Sequence, residues 1–204
     1  MPIASRLAAV VLAVLPSAVA AEPAADVVAS THAADPGDQG VGAEVGIASG
    51  GALTPGGLRV AGHYLYQLSQ TDWFDGAAAF TFGADRAGCT TDGMPPLTCN
   101  HGFTDGDGVE ISASVRRLFA PQGAFRPFAR AGVGIALVRF AADDVAGVAV
   151  PLHLGAGVRA RVGPRVAVVA QGDLQLGLGG FNRGLGVEAQ FGMAFTAGAE
   201  FDLR

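Results

Sequence analysis

The residues able to do chemistry are charges set within apolar alternation. Glu44, Asp75, Glu110, Asp173, Glu188 and Glu200 lie in segments where apolar side chains recur at every second position, and so do Arg59, Arg116, Arg130, Arg159, Arg161 and Arg165. In a strand, successive side chains point to opposite faces, so this spacing gathers both sets on one polar face. Three kinds of chemistry are open to them. They can pair into a buried ion network, line a narrow conduit, or supply acid and base groups. The acidic and basic sets nearly balance, so they form no single-sign ring of the kind that selects ions. A structural network is the expectation, because unpaired charges in a confined interior are costly.

Histidine and serine raise a second possibility. His63 with Ser112 or Ser114 has the residue types of a hydrolase, and His153 shares the polar parity of its own segment. A nucleophile needs a base and an orienting acid within hydrogen-bond reach, and there is no G-x-S-x-G elbow. No catalytic residue is expected. Asp105-Gly106-Asp107-Gly108 has a faint calcium-loop look but lacks the remaining ligands, and is read as a polar turn. His101 lies just before it. Cys89 and Cys99 are the only cysteines. In an exported chain they are expected to pair as a disulfide, whose loop closure is worth roughly 3 kcal/mol on a chain-entropy model. Two thiols without a neighbouring pair of ligands make a poor zinc site. No metal and no cofactor are therefore expected.

The elements that must position these groups are strands. The last, Leu185 to Leu203, alternates almost without interruption: Val187, Ala189, Phe191, Met193, Phe195, Ala197, Ala199 and Phe201 on one parity, small or polar residues on the other. Seven earlier segments carry the same period: Val41 to Ser49, Leu58 to Leu68, Trp73 to Gly83, Gly108 to Phe119, Pro127 to Arg139, Val148 to Val162 and Arg165 to Gly177. Long connections, Gly50 to Gly57 and Ala84 to Asp107 above all, alternate with tight ones such as Gly163-Pro164. Asp143 and Asp144, and Gly179 to Arg183, mark two further loops on the side of the long ones.

Composition and address narrow the class. Arg6, the apolar run Leu7 to Leu15, and Ala18-Val19-Ala20 have the order of a secretory signal peptide. Residues 1–21 are expected to be that signal, 22–40 a flexible lead-in, and 41–204 one folded domain. The chain is 50% hydrophobic and 15% charged, against about 25% charged in soluble domains. A net charge of −5 argues against a nucleic-acid partner.

Alternation alone does not say which face is buried, since a soluble barrel or sandwich alternates too. Two features favour lipid on the oily face. That face runs unbroken for the nine to eleven or so residues a tilted strand needs to cross a bilayer. The opposite face, mostly Gly, Ala, Ser and Thr, is too poor in charge for a water-facing surface. Arg117 and Arg139 break the oily parity only near segment ends, where arginine is tolerated. Aromatics gather toward the ends as well, among them Tyr66, Trp73, Phe74, Phe119, Phe80, Phe82 and Phe140.

The signal peptide, the glycine-rich stretch Pro127-Phe128-Ala129-Arg130-Ala131-Gly132-Val133-Gly134 and the closing strand Phe191 to Phe201 resemble the small outer-membrane β-barrel superfamily, the OmpA/OmpX-like and opacity-type proteins. One departure stands at Phe201-Asp202-Leu203-Arg204, where such proteins usually carry a final aromatic. The resemblance implies an all-β, eight-stranded antiparallel up-and-down transmembrane barrel with a side-chain-filled polar interior. It also implies outer-membrane lipid as the surrounding partner and a structural or surface-interacting role. A small passive channel is the alternative, and a lipid-modifying enzyme a more remote one. The 84–107 loop is the expected place for an extracellular ligand, because loops on rigid scaffolds carry recognition.

Overall fold

A computed structural model describes residues 37–90, 97–120 and 122–203. The expected signal peptide and most of the lead-in lie outside them. Strands β1 (Gln39–Ser49), β2 (Gly57–Gln67), β3 (Asp72–Phe82), β6 (Asp107–Leu118), β7 (Phe125–Phe140), β8 (Val145–Arg161), β9 (Val166–Phe181) and β10 (Gly186–Asp202) form a closed antiparallel barrel. Each pairs with its sequence neighbour, and β1 closes on β10 with Val45 opposite Ala197. Closure removes the unpaired edges that an open sheet would present. The two remaining strands, β4 (Cys89–Thr90) and β5 (Thr98–Cys99), make a small hairpin inside the long connection.

Each expected segment is a strand, and each parity keeps its face. Ile111 is 70% exposed and Phe195 60%, and Val60, Ile135 and Leu154 also point outward. Glu44, Arg130 and Arg159 are buried in the lumen. This is the inverse of a water-soluble barrel, which puts its apolar parity inside. Arg117 and Arg139 are exposed near the strand ends, and Arg117 grips Asp72 of β3 with two bonds of 2.7 and 3.0 Å.

Two expectations change. The loop side is not defined by loop length alone. Strands β7 to β10 run 16 or 17 residues, against 11 or 12 for β1, β2, β3 and β6. The extra residues extend the barrel wall on one side, and the connections 141–144 and 182–185 stay short. Gly179 to Phe181, expected as loop, therefore belong to β9. Second, Trp73 and Phe140 do not join an outer aromatic girdle. They share the parity of the lumen residues and are buried inside, 8% and 2% exposed.

The apolar band sets the first prediction. Ile135→Arg, near the middle of the outer face, should cost about 2–4 kcal/mol in reversible unfolding from lipid vesicles. Val41→Arg, at a strand end, should cost only about 0–1 kcal/mol in the same measurement. Equal costs at the two positions would mean that the band does not face hydrocarbon.

Candidate functional site

Inside the barrel the charged side chains meet in two groups of contacts. At the end carrying both termini, Arg161 donates to Asp202 at 3.3 Å, and Asp202 also accepts from Arg159 at 2.9 Å. Arg159 reaches Glu200 through Nε at 2.7 Å. Glu200 and Asp75 then share Arg116, which donates to both, at 2.8 Å in the case of Asp75. Arg130 completes this layer, bonding Asp173 at 2.7 Å and Asp75 at 3.4 Å. His63 donates from Nδ1 to Asp75 at 2.8 Å and lies 3.6 Å from Glu44 through Nε2. Glu44 accepts from Gln171 and Thr196. Nearer the loop end a second group forms, in which Glu110 meets Arg59 at 3.2 Å and His153 at 3.1 Å.

Strand geometry supplies the room for these long side chains. Gly155 faces the lumen beside Asp173, and a methyl group there would fall 2.1 Å from Asp173 Oδ1. Gly157 leaves comparable space for the Phe128 ring, which Arg116 covers at 4.5 Å from its centroid. The glycines on the polar parity thus leave room for Asp173 and the Phe128 ring, the groups that Arg130 and Arg116 contact.

The charged layer is closed by apolar clusters. Leu65, Trp73, Leu118, Phe128 and Val169 pack together toward the terminus end. At the loop end Leu53, from the 50–56 connection, packs among Val138, Phe140, Val145, Ala149 and Phe181. Gln190 donates to the Leu53 carbonyl at 2.7 Å, and the Phe191 N–H to the Thr54 hydroxyl at 3.1 Å. The inward turn of Phe140 is what gives Leu53 a partner.

Above this plug the described parts of the 83–106 connection, residues 83–90 and 97–106, form a cap. Cys89 and Cys99 are joined by a disulfide across the β4–β5 hairpin. The buried His101 ring stacks on Phe140 at 3.8 Å between centroids. Its Nδ1 donates to the Ala52 carbonyl at 2.6 Å, and its Nε2 lies 2.9 Å from Asp143 Oδ2 and 3.9 Å from Cys89 Sγ. Asp143 also accepts the Gly88 N–H at 2.7 Å. Burial works against its charge, but the N–H groups of Gly88 and Cys89 and the His101 imidazole outweigh that and hold the carboxyl below its ordinary range. Asp105 accepts the Gly102 N–H within its turn, whereas Asp107 and Gly108, expected as part of that turn, begin β6, and Asp107 accepts the Gly83 N–H across from it.

Of the charges expected in the lumen, Glu44, Arg59, Asp75, Glu110, Arg116, Arg130, Arg159, Asp173 and Glu200 are buried there. Arg161 sits at the mouth with its side chain 21% exposed. Arg165 and Glu188 lie elsewhere. Arg165 is exposed in the turn between β8 and β9, and Glu188 is exposed on the extension of β10 beyond the barrel rim. Parity assigned them to the inner face, but a face is interior only where the wall closes around it. Among the described residues no hydrogen bond joins His63 to Ser112 or Ser114; His63 is held between two carboxylates instead. The group that sequence spacing missed is Asp143 with His101, on connections far apart along the chain.

No protein-family model matches the sequence, and no curated protein matches it either. Among solved structures, Neisserial surface protein A is 18% identical, with a TM-score of 0.58 over 81% of this chain and 97% of its own. The outer membrane protease OmpT from Escherichia coli gives 10% identity and a TM-score of 0.47 over 82% of this chain and 97% of its own. The likeness to the first carries the fold: this is the closed eight-stranded architecture of the small outer-membrane barrels.

The lumen predicts a graded series. Arg116→Met leaves Asp75 and Glu200 buried without their shared partner and should lower unfolding stability by about 3–5 kcal/mol. Arg161→Met, at the wetted mouth, should cost no more than about 1 kcal/mol. Denaturant titration of both variants in the same detergent makes the comparison.

Proposed function

We propose that this chain is an integral outer-membrane protein that acts as a closed scaffold, holding a braced cap on the outside of the cell. Support for the membrane comes from the outward apolar band, which is far larger than the few hundred Å² a soluble monomer usually exposes. Support for the orientation comes from the topology. Both termini lie at one end with tight turns, and the 50–56 and 83–106 connections lie at the other, as in barrels whose external loops are the longer ones.

The observation that carries the reading is the filled lumen. A layer in which Arg59, Arg116, Arg130 and Arg159 are each paired with a carboxylate is overlaid by an apolar plug centred on Leu53, and His101 and Phe140 seal the plug from above. A conduit needs a continuous wet path, and this interior offers ions a layer of fixed pairs beneath a dry constriction. Burial of the two histidines supports a non-catalytic reading. The His101 side chain is fully buried and His63 lies within the lumen, so neither is presented to a lipid or peptide from outside. The role left to the molecule is at its outer surface, where the cap carries exposed residues such as Phe103, 73% accessible, on a rigid frame.

Conductance tests the reading directly. Purified protein inserted into planar bilayers should give no discrete current steps. Reproducible steps from wild-type protein, abolished when the protein is heat-denatured, would replace it with the small-channel reading. In intact cells, a biotinylating reagent that cannot cross the membrane should label a cysteine introduced at Phe103 and leave one introduced at Val162 unlabelled.

A further inference from the structure

The cap places two sulfurs, one imidazole and one carboxylate together. The ligand atoms of Cys89, His101 and Asp143 all lie within 4.8 Å of one another, and Cys99 Sγ is bonded to Cys89 Sγ. Where spacing along the chain offered the thiols no companion ligands, the fold supplies two. We propose that reduction of the cystine converts this cluster into a site for a thiophilic divalent cation such as zinc, bound by Cys89, Cys99, His101 and Asp143. Its test on purified, reduced protein is separate from whether the barrel conducts.

The geometry at His101 points to a cation. Nδ1 faces a carbonyl oxygen at 2.6 Å, which can only accept, so Nδ1 carries a proton. A neutral ring then aims the Nε2 lone pair at Asp143 Oδ2, another acceptor, 2.9 Å away. Two acceptors at that distance need a positive charge between or beside them. In the oxidised cap an ordinary hydrogen bond from Nε2 to the carboxylate serves. A metal ion serves equally once a thiolate is present, and an imidazole whose far nitrogen is held by a backbone carbonyl is the usual form of a ligating histidine. Thiolate, imidazole and carboxylate oxygen are together the donor types of tetrahedral zinc.

The frame stays in place when the disulfide opens. Backbone pairing holds Cys89 opposite Cys99 and Thr90 opposite Thr98, and the Asn100 N–H donates to the Gly88 carbonyl at 2.8 Å. The Gly88 N–H fixes Asp143, and Phe140 fixes the plane of the imidazole. The thiols therefore remain on the face where His101 and Asp143 wait. The chemistry balances simply. A dithiol reductant breaks the Sγ–Sγ bond, departs as its own disulfide, and leaves one proton on each cysteine. The incoming cation then displaces those two protons and the one on His101 Nε2.

Cobalt reports the site. Full-length protein folded in detergent is reduced with tris(2-carboxyethyl)phosphine and titrated with Co²⁺. The expected result is one ion per chain, with a thiolate-to-cobalt charge-transfer band and the intense visible absorption of a tetrahedral site, both lost on adding Zn²⁺. The oxidised protein should show neither. His101→Ala and Asp143→Asn should each weaken cobalt binding by at least about tenfold. Cys89→Ser with Cys99→Ser should abolish the charge-transfer band. Unheated gel mobility confirms that each variant keeps its barrel. The proposal is overturned if reduced, folded protein gives no charge-transfer band, if oxidised protein binds cobalt equally well, or if His101→Ala leaves the titration unchanged.

Discussion

Arg116 is the point on which the interior turns. It is 2% exposed, bonds Asp75 and Glu200 at once, and covers the ring of Phe128. Those contacts reinforce the pairing of β6 with its neighbours β3 and β7 and tie it across the lumen to β10, which its ladder does not reach. A small barrel has no apolar core in the ordinary sense. Its wall puts most hydrophobic groups outside, so between the two apolar clusters internal cohesion comes from polar groups packed at close range. Such packing is favourable only when each charge has its counterpart, since a stranded one costs several kcal/mol. The glycines opposite these side chains follow from the same demand, because a filled interior needs some wall positions with no side chain at all.

The same constraint shapes the loop end. A charged lumen open to water would solvate its own pairs and weaken them. Leu53 descends from the 50–56 connection onto Val138, Phe140, Val145 and Phe181, and the cap then rests on Phe140 through His101. Plug and cap are therefore one structure. The disulfide holds the hairpin, His101 joins it to the 50–56 connection through Ala52, and Asp143 joins it to the turn after β7. Hydrogen bonds through His101 and Asp143, rather than a covalent link, thus join the cystine hairpin to the lid of the lumen.

The extension of β7 to β10 gives the loop end its asymmetry. Length in those strands takes the place of length in their loops, so one side of the mouth is wall and the other is cap. Residues on that wall escape the rule that governs the barrel proper. Glu188 alternates with apolar neighbours just as Glu200 does, yet only Glu200 has a lumen to point into.

The residue pattern by itself determined the strands, their faces and the direction of the barrel. Period-two alternation is a local property, and Val60, Ile111, Ile135 and Phe195 declare their side within a few residues of chain. The cystine was legible because the chain offers no other cysteine to choose. What tertiary structure alone decided was which charge meets which. Arg116 finds Glu200 84 residues away, and Arg130 finds Asp173 43 residues away. Those partners follow from register, tilt and closure, which no local window contains. The same holds for His101 and Asp143, brought together from two connections by the hairpin and the turn after β7. Parity tells a side chain which way to face, and only the closed wall decides what it faces.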